Sequence, residues 1–196
     1  MSELSVRTDI DLNGLDKLLQ LAGERAPARI ARALNRTGGP TQTAYLRQVR
    51  KTLGLRSHPY AKAPVGNVIK RRTSTKRASA GRLVFSLAGF GKGLPAMYYG
   101  PKEAPAGASI NWLGQRKTIG RSFYLGGKFP RRKRSKISHA VWRRIGSGKW
   151  ALDRPTGPGV PDAMAQAAPR ATWEGQAGRR LPVELQRIVG DLLRGY

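Results

Sequence analysis

Residues Lys136–Pro161 read KISHAVWRRIGSGKWALDRPTGPGVP, and the fold class turns on how this stretch is parsed. Two apolar-bearing runs, His139–Ile145 and Lys149–Leu152, flank Gly146-Ser147-Gly148, a short glycine-bearing connection of the kind that closes a β-hairpin. The second run enters Asp153–Pro161, where three prolines and two glycines fall in nine residues. Such a segment cannot continue a central strand, because proline lacks the ladder donor and glycine loosens the chain. A hairpin followed by a rigid, extended exit is therefore expected, delivering the chain to C-terminal helices. Nothing in the stretch pairs a nucleophile with a base. It reads as architecture.

Upstream, the pattern changes period. Leu4–Leu12 alternates apolar and polar residues, as a half-buried strand does. Asn13 can cap a helix with Asp16 three residues on, and Leu15, Leu18, Leu19, Ala22, Ala26, Ile30, Ala33 and Leu34 follow at helical spacing. Gly23 and Pro27 interrupt that spacing, so a kink or restart is expected near Ala26 with Pro27 in a first turn. Gly38-Gly39-Pro40 is expected to break the helix, Thr41 to open another, and Gly54 to stop it.

Between Arg56 and Gly81 periodicity fades into a basic arm, a loop that could order only on assembly. Leu83, Phe85 and Leu87 alternate as a strand, and Met97-Tyr98-Tyr99, Ile110-Asn111-Trp112 and Ser122–Leu125 are further short strand candidates. After the hairpin, Pro161–Ala168 can form a short helix. Leu181–Leu193 is amphipathic, with Pro182 at its start. The shift from helical spacing before Leu53 to alternating runs after Gly81 predicts an α+β fold: N-terminal helices packed on an antiparallel β-sheet, with C-terminal helices and long basic loops. The corresponding segments are 1–55 (strand and helices), 56–80 (basic extended arm), 81–160 (β-rich with the hairpin) and 161–196 (C-terminal helices), read as one domain with extensions.

Charge is distributed unevenly. Residues 25–150 hold 29 of the 37 Lys and Arg but a single acid, Glu103, whereas the two ends hold 8 basic and 10 acidic residues. A folded segment that repels itself this strongly points to a negative partner: nucleic acid, an acidic protein surface or anionic lipid. Arg25, Arg29, Arg32 and Arg36 make one helical stripe, which is either a solvated face or one turned to phosphates or an acidic neighbour. Lys70, Arg71 and Arg72 punctuate the arm. Arg131, Arg132, Lys133, Arg134 and Lys136 put five cations in six positions on a connector expected to be exposed. At the acidic ends, Asp9, Asp11, Glu184 and Asp191 are candidates to meet the basic middle of a neighbouring subunit, or to pair within the chain.

Catalytic material is sparse. With no cysteine there is no thiolate nucleophile or thiolate metal site, and His58 and His139 lie apart from clustered acids, so no metal and no cofactor is expected. Gly91-Lys92 and Gly148-Lys149 lack the following Ser or Thr and the upstream glycine of a nucleotide-binding loop. Helix-turn-helix, zinc-finger and RNA-recognition signatures are missing too, which leaves base-specific reading unsupported. No apolar run approaches the roughly 18 residues of a membrane span, and no membrane association is expected.

Three pieces, in order along the chain, resemble the phage minor tail protein Z family. They are Ala31–Thr37 with the helical stretch to Lys51–Leu55, His139–Arg144 with Leu152, Pro155 and the Gly157–Pro161 exit, and Arg180–Leu185. The Gly38–Pro40 interruption departs from that pattern. The resemblance implies a non-enzymatic tail completion protein of long-tailed phages, resident in the virion at the head-proximal end of the tail. It would help head–tail joining and positioning of the DNA end. The implied partners are tail terminator or tube proteins, head-side connector proteins and, non-specifically, viral DNA. A sixfold homo-oligomeric ring follows by analogy with tail symmetry. The competing reading, drawn from charge alone, is a sequence-independent nucleic-acid-binding protein.

Overall fold

The computed structural model describes residues 4–5, 26–56, 64–126, 140–148 and 151–194. The architecture is α+β, as expected. In chain order it runs β1 (Leu4–Ser5), α1 (Ala26–Leu53), α2 (Val65–Lys70), β2 (Thr73–Lys76), β3 (Ser86–Gly89), a 3-10 turn (Ala96–Tyr99), β4 (Lys102–Ala104), β5 (Gly107–Trp112), β6 (Gln115–Gly120), β7 (Ser122–Phe123), β8 (Trp142–Arg144), β9 (Leu152–Asp153), α3 (Val160–Met164) and α4 (Ala167–Leu193). The strands make three small antiparallel sheets rather than one, ordered β1-β3-β2, β4-β5-β6 and β7-β8-β9. Against them lies an antiparallel pair of long helices, α1 and α4, in which Tyr45 meets Trp173 and Arg36 meets Glu184.

Helix α1 starts at Ala26 with Pro27 in its first turn, as the sequence predicts, but it does not break at Gly38-Gly39-Pro40. Its buried positions Ala33, Thr37, Thr41, Tyr45, Val49 and Leu53 recur every four residues. Each such step advances about 40° beyond a full turn, so the buried stripe winds around the helix. Burial along the whole stripe outweighs the roughly 3 kcal/mol that an interior proline costs. Pro40 lies on the exposed face, where water can take the Arg36 carbonyl it leaves free. The end is a Schellman stop: Gly54 (φ +69°) donates to Lys51 O at 3.0 Å, Leu55 donates to Arg50 O at 3.2 Å, and Leu55 is buried in the same core cluster as Val49.

The two adjacent glycines of α1 are not equivalent. A Cβ at Gly38 would sit 2.5 Å from the Phe85 ring, whereas one at Gly39 meets nothing within 4 Å. Gly39→Ala should therefore raise stability by about 1 kcal/mol through helix propensity alone. Gly38→Ala should lower it by about 1–3 kcal/mol through overpacking. Urea unfolding of the two variants side by side tests this, and equal signs would refute the packing at Phe85.

Other expectations shift. The strand placed at Leu83–Leu87 begins three residues later, at Ser86, with Leu87 and Gly89 inward. Met97-Tyr98-Tyr99 forms a 3-10 turn, not a strand, between Pro95 and a left-handed Gly100. The arm of 56–80 is largely ordered in secondary structure: α2 buries Val65 and Ile69, and β2 pairs with β3 from Thr73↔Gly89 to Lys76↔Ser86. Residues 57–63 lie outside the described residues. The C-terminal helix begins at Ala167, well before Leu181, and Pro182 stands inside it on the exposed side.

The hairpin is present. Arg143 pairs with Asp153 and Arg144 with Leu152, and the exit beyond it is extended. That exit runs alongside Leu94–Tyr99: Gly157 N–H donates to Leu94 O at 2.7 Å, Ala96 N–H to Pro155 O at 3.0 Å, and the Tyr99 hydroxyl to Pro158 O. Asp162 then accepts the Gly159 N–H at 2.6 Å and starts α3. The short helix expected at Pro161–Ala168 is therefore Val160–Met164.

Tyr45 ties these layers together. Its hydroxyl donates to Met164 O at 3.1 Å, and its ring meets Trp173 edge-on at 5.4 Å. Burial pushes its pKa up to about 12, with the Arg170 charge acting in the opposite direction. Tyr99 is raised as well, by burial first and then by Asp162. The folded chain thus keeps a proton that the unfolded chain releases near pH 10. Their contribution to stability is present in full below pH 10 and falls as pH rises toward 12. Tyr45→Phe should cost about 1 kcal/mol at neutral pH and flatten part of the alkaline loss. A melting-temperature profile from pH 8 to 12, parallel to wild type throughout, would show that Tyr45 does not titrate this way.

Candidate cationic site

Because α1 is continuous, its arginine stripe resumes on the same side of the helix after an uncharged gap. Arg47 lies eleven residues, three turns, beyond Arg36, and Arg50 follows at the next turn. Both project within about 40° of Arg36 around the axis. Arg32, Arg36, Arg47 and Arg50 are exposed and Arg29 is half-buried, while Arg25 lies outside the described residues. Uncharged Gly39–Thr43 separates the two halves of the stripe.

The halves differ in what surrounds them. Arg36 Nη1 stands 3.7 Å from Glu184 on α4, an intrachain pair that joins a candidate partner contact to a candidate subunit contact. The second half ends in an open cleft of about 410 Å³ lined by Arg47, Arg50, Lys51, Arg56 and Asn111 around Gly54 and Leu55. The Schellman stop shapes it. Gly54 has no side chain, so the Asn111 amide of β5 lies directly over it, 2.7 Å from where a Cβ would be. Arg56 N–H donates to Tyr98 O at 2.8 Å, which brings the chain back along the cleft wall. Arg116, paired with Asn111 across β5 and β6, donates to Gly100 O beside Arg56. No carboxylate lines the cleft.

Acids are engaged elsewhere. Glu103, the single acid of the basic segment, accepts the Tyr124 and Leu125 N–H groups and so fixes the chain after β7. Asp153 pairs with Arg143 at 2.8 Å, Asp162 caps α3, and Glu184 meets Arg36. Among the described residues Glu103, Asp153, Asp162 and Glu184 thus hold backbone or neighbouring cations, while the cleft at the end of α1 is lined by cations and no carboxylate.

The other sequence candidates scatter. Lys70 and Arg71 are exposed at the end of α2. Arg72 is structural: its guanidinium donates to Lys92 O and packs against Gly91, where a Cβ would collide with it. Asp191 lies on the last turns of α4, half-buried. Arg131, Arg132, Lys133, Arg134, Lys136, Asp9, Asp11 and both histidines lie outside the described residues. Sequence reasoning passed over Arg47, Arg50, Lys51 and Arg56. For Arg47, Arg50 and Lys51 the signal was present in the same three- and four-residue spacing, but the assumed break at Gly38–Pro40 ended the count, and Arg56 joins them only through the turn at Gly54.

Among the described residues no three His, Cys, Asp or Glu gather as a metal site, and no helix is long and apolar enough to cross a membrane. Compared with protein-family models, curated proteins and solved structures, the chain matches none, and the likeness to tail proteins rests on the quoted motifs alone.

Proposed function

We propose that this chain is a structural, non-enzymatic component of a long phage tail, completing it at the head-proximal end as a homo-oligomeric ring. It joins tail to head and helps position the DNA end. The motifs that carry the resemblance support this reading: Ala31–Thr37 lies in α1, the hairpin is β8 and β9 with its exit to α3, and Arg180–Leu185 lies within α4. The observation that supports it best is the division of charge: Glu103, Asp153 and Glu184 engaged within the chain, and Arg32, Arg47 and Arg50 exposed along α1. Self-repulsion on such a surface is relieved when acidic subunit surfaces or DNA phosphates supply the counter-charge.

Cryo-electron microscopy of intact particles tests the proposal. Density for the chain at the junction of tail and head is the expected result, and its absence from the particle would refute it. The cations of the connector are tested by a fourfold change of Arg131, Arg132, Lys133 and Arg134 to Ser, which removes counter-charge for an acidic surface or phosphates. Infectivity should fall. Rings formed at low salt should dissociate near 1 M, where screening shortens to about 3 Å. The second reading, a general nucleic-acid-binding protein, is favoured by the same cations. It requires binding by the isolated monomer and no place in a particle.

A further inference from the structure

We propose that the cleft at the end of α1 seats the phosphate backbone of duplex DNA, independently of sequence. The inference stands on the cleft's geometry and does not depend on the tail reading. Arg47, Arg50, Lys51 and Arg56 are all exposed and surround one opening, with the Asn111 amide as a neutral donor on its floor. From Arg47 to Gly54 the helix rises about 10 Å. Over that length one strand of B-DNA presents about three phosphates, at 3.4 Å of axis per charge. The cleft is therefore long enough to meet about three successive phosphates of one strand. Three of the four cations are arginine, whose planar fork binds two phosphate oxygens at once.

The lining also discriminates among anions. An acidic protein partner needs a desolvated apolar centre to anchor it. Here the apolar residue is Leu55, which is 6% exposed and turned to the core. Single strands gain affinity by stacking bases on aromatic rings, and no aromatic side chain lines this cleft. A lone phosphate would remain largely hydrated in so open a site. A rigid backbone offering several phosphates at fixed intervals is the ligand that uses all four cations.

Fluorescence anisotropy with a 25-base-pair duplex, over a range of salt, tests the assignment. Changing Arg47, Arg50, Lys51 and Arg56 to Ser should make the slope of log K against log salt shallower by roughly 3, at about 0.9 for each phosphate no longer neutralised. Two duplexes of unrelated sequence should be affected alike. An equal-charge control, with exposed Lys76, Arg77, Lys92 and Lys102 changed to Ser, should keep most of the wild-type slope. Asn111→Asp, isosteric with the native residue, should weaken binding while keeping the native circular dichroism spectrum. That variant keeps the test open if the fourfold one fails to fold. A wild-type slope in the cleft variant, or an equal loss in the control, would overturn the site. Displacement of the duplex by poly-glutamate at lower charge concentration would assign the cleft to an acidic protein instead. The tail reading is tested separately, by where the chain lies in a particle.

Discussion

Gly157→Ala should lower the unfolding free energy by about 3 kcal/mol, at the upper end of what overpacking costs. A methyl group at this position would overlap the Trp112 indole nitrogen and lie 2.5 Å from the Tyr99 ring. Neither ring can retreat cheaply. Trp112 packs against the core cluster, and Tyr99, fully buried, is held by its hydroxyl on Pro158 O. Nor can the chain swing outward, because Gly157 N–H is bonded to Leu94 O and Pro158 fixes the next φ. Urea unfolding should show a lower midpoint with an unchanged slope. Gly146→Ala in the hairpin connection, whose nearest neighbour would be Ala151 Cβ at 3.4 Å, should stay close to wild type. Similar midpoints for the two variants would mean that the exit is not clamped against Tyr99.

Trp173→Ala should cost about 3–5 kcal/mol, the range for truncating a buried Trp or Phe. Trp173 is 6% exposed and joins the two halves of the fold. Its ring meets Tyr45 of α1 edge-on and lies 6.3 Å from Phe85 ahead of β3, so its removal opens a cavity where helix pair and sheet adjoin. For a chain of this length each kcal/mol moves the melting temperature by about 2–4 °C, and a fall of roughly 10 °C is expected. Val183→Ser on the same helix, at a position 62% exposed, should change little. A Trp173→Ala melt within about 2 °C of wild type would contradict the burial.

Local signals were reliable where one residue type has one backbone use. Pro27 in a first turn, Gly54 as a left-handed stop and the hairpin before a proline-rich exit were all legible from spacing. The same signals misled where neighbours supplied a larger energy. Gly38-Gly39-Pro40 looks like a break, yet Gly38 is the position that lets the Phe85 ring approach α1. Pro182 looks like a helix start, yet α4 continues through it with Trp173, Ala177 and Leu181 buried on the same face. Met97-Tyr98-Tyr99 has strand composition, but Pro95 and the left-handed Gly100 bracket too short a span, and it turns instead.

The sequence by itself determined the α+β class, through its change of period near residues 54–81, and the concentration of cations in residues 25–150 around one acid. Both are sums over many residues, so single exceptions do not disturb them. Only the tertiary structure decided which of those charges act together. Arg36 and Glu184 are 148 positions apart and meet because α1 and α4 run antiparallel. Arg56 and Asn111 share a cleft because Gly54 turns the chain under β5. Local preferences differ by about 1–3 kcal/mol per residue, and burial along a continuous helical face exceeds them. Helix continuity, and with it the cationic cleft at the end of α1, is therefore set by packing between residues that no local window holds together.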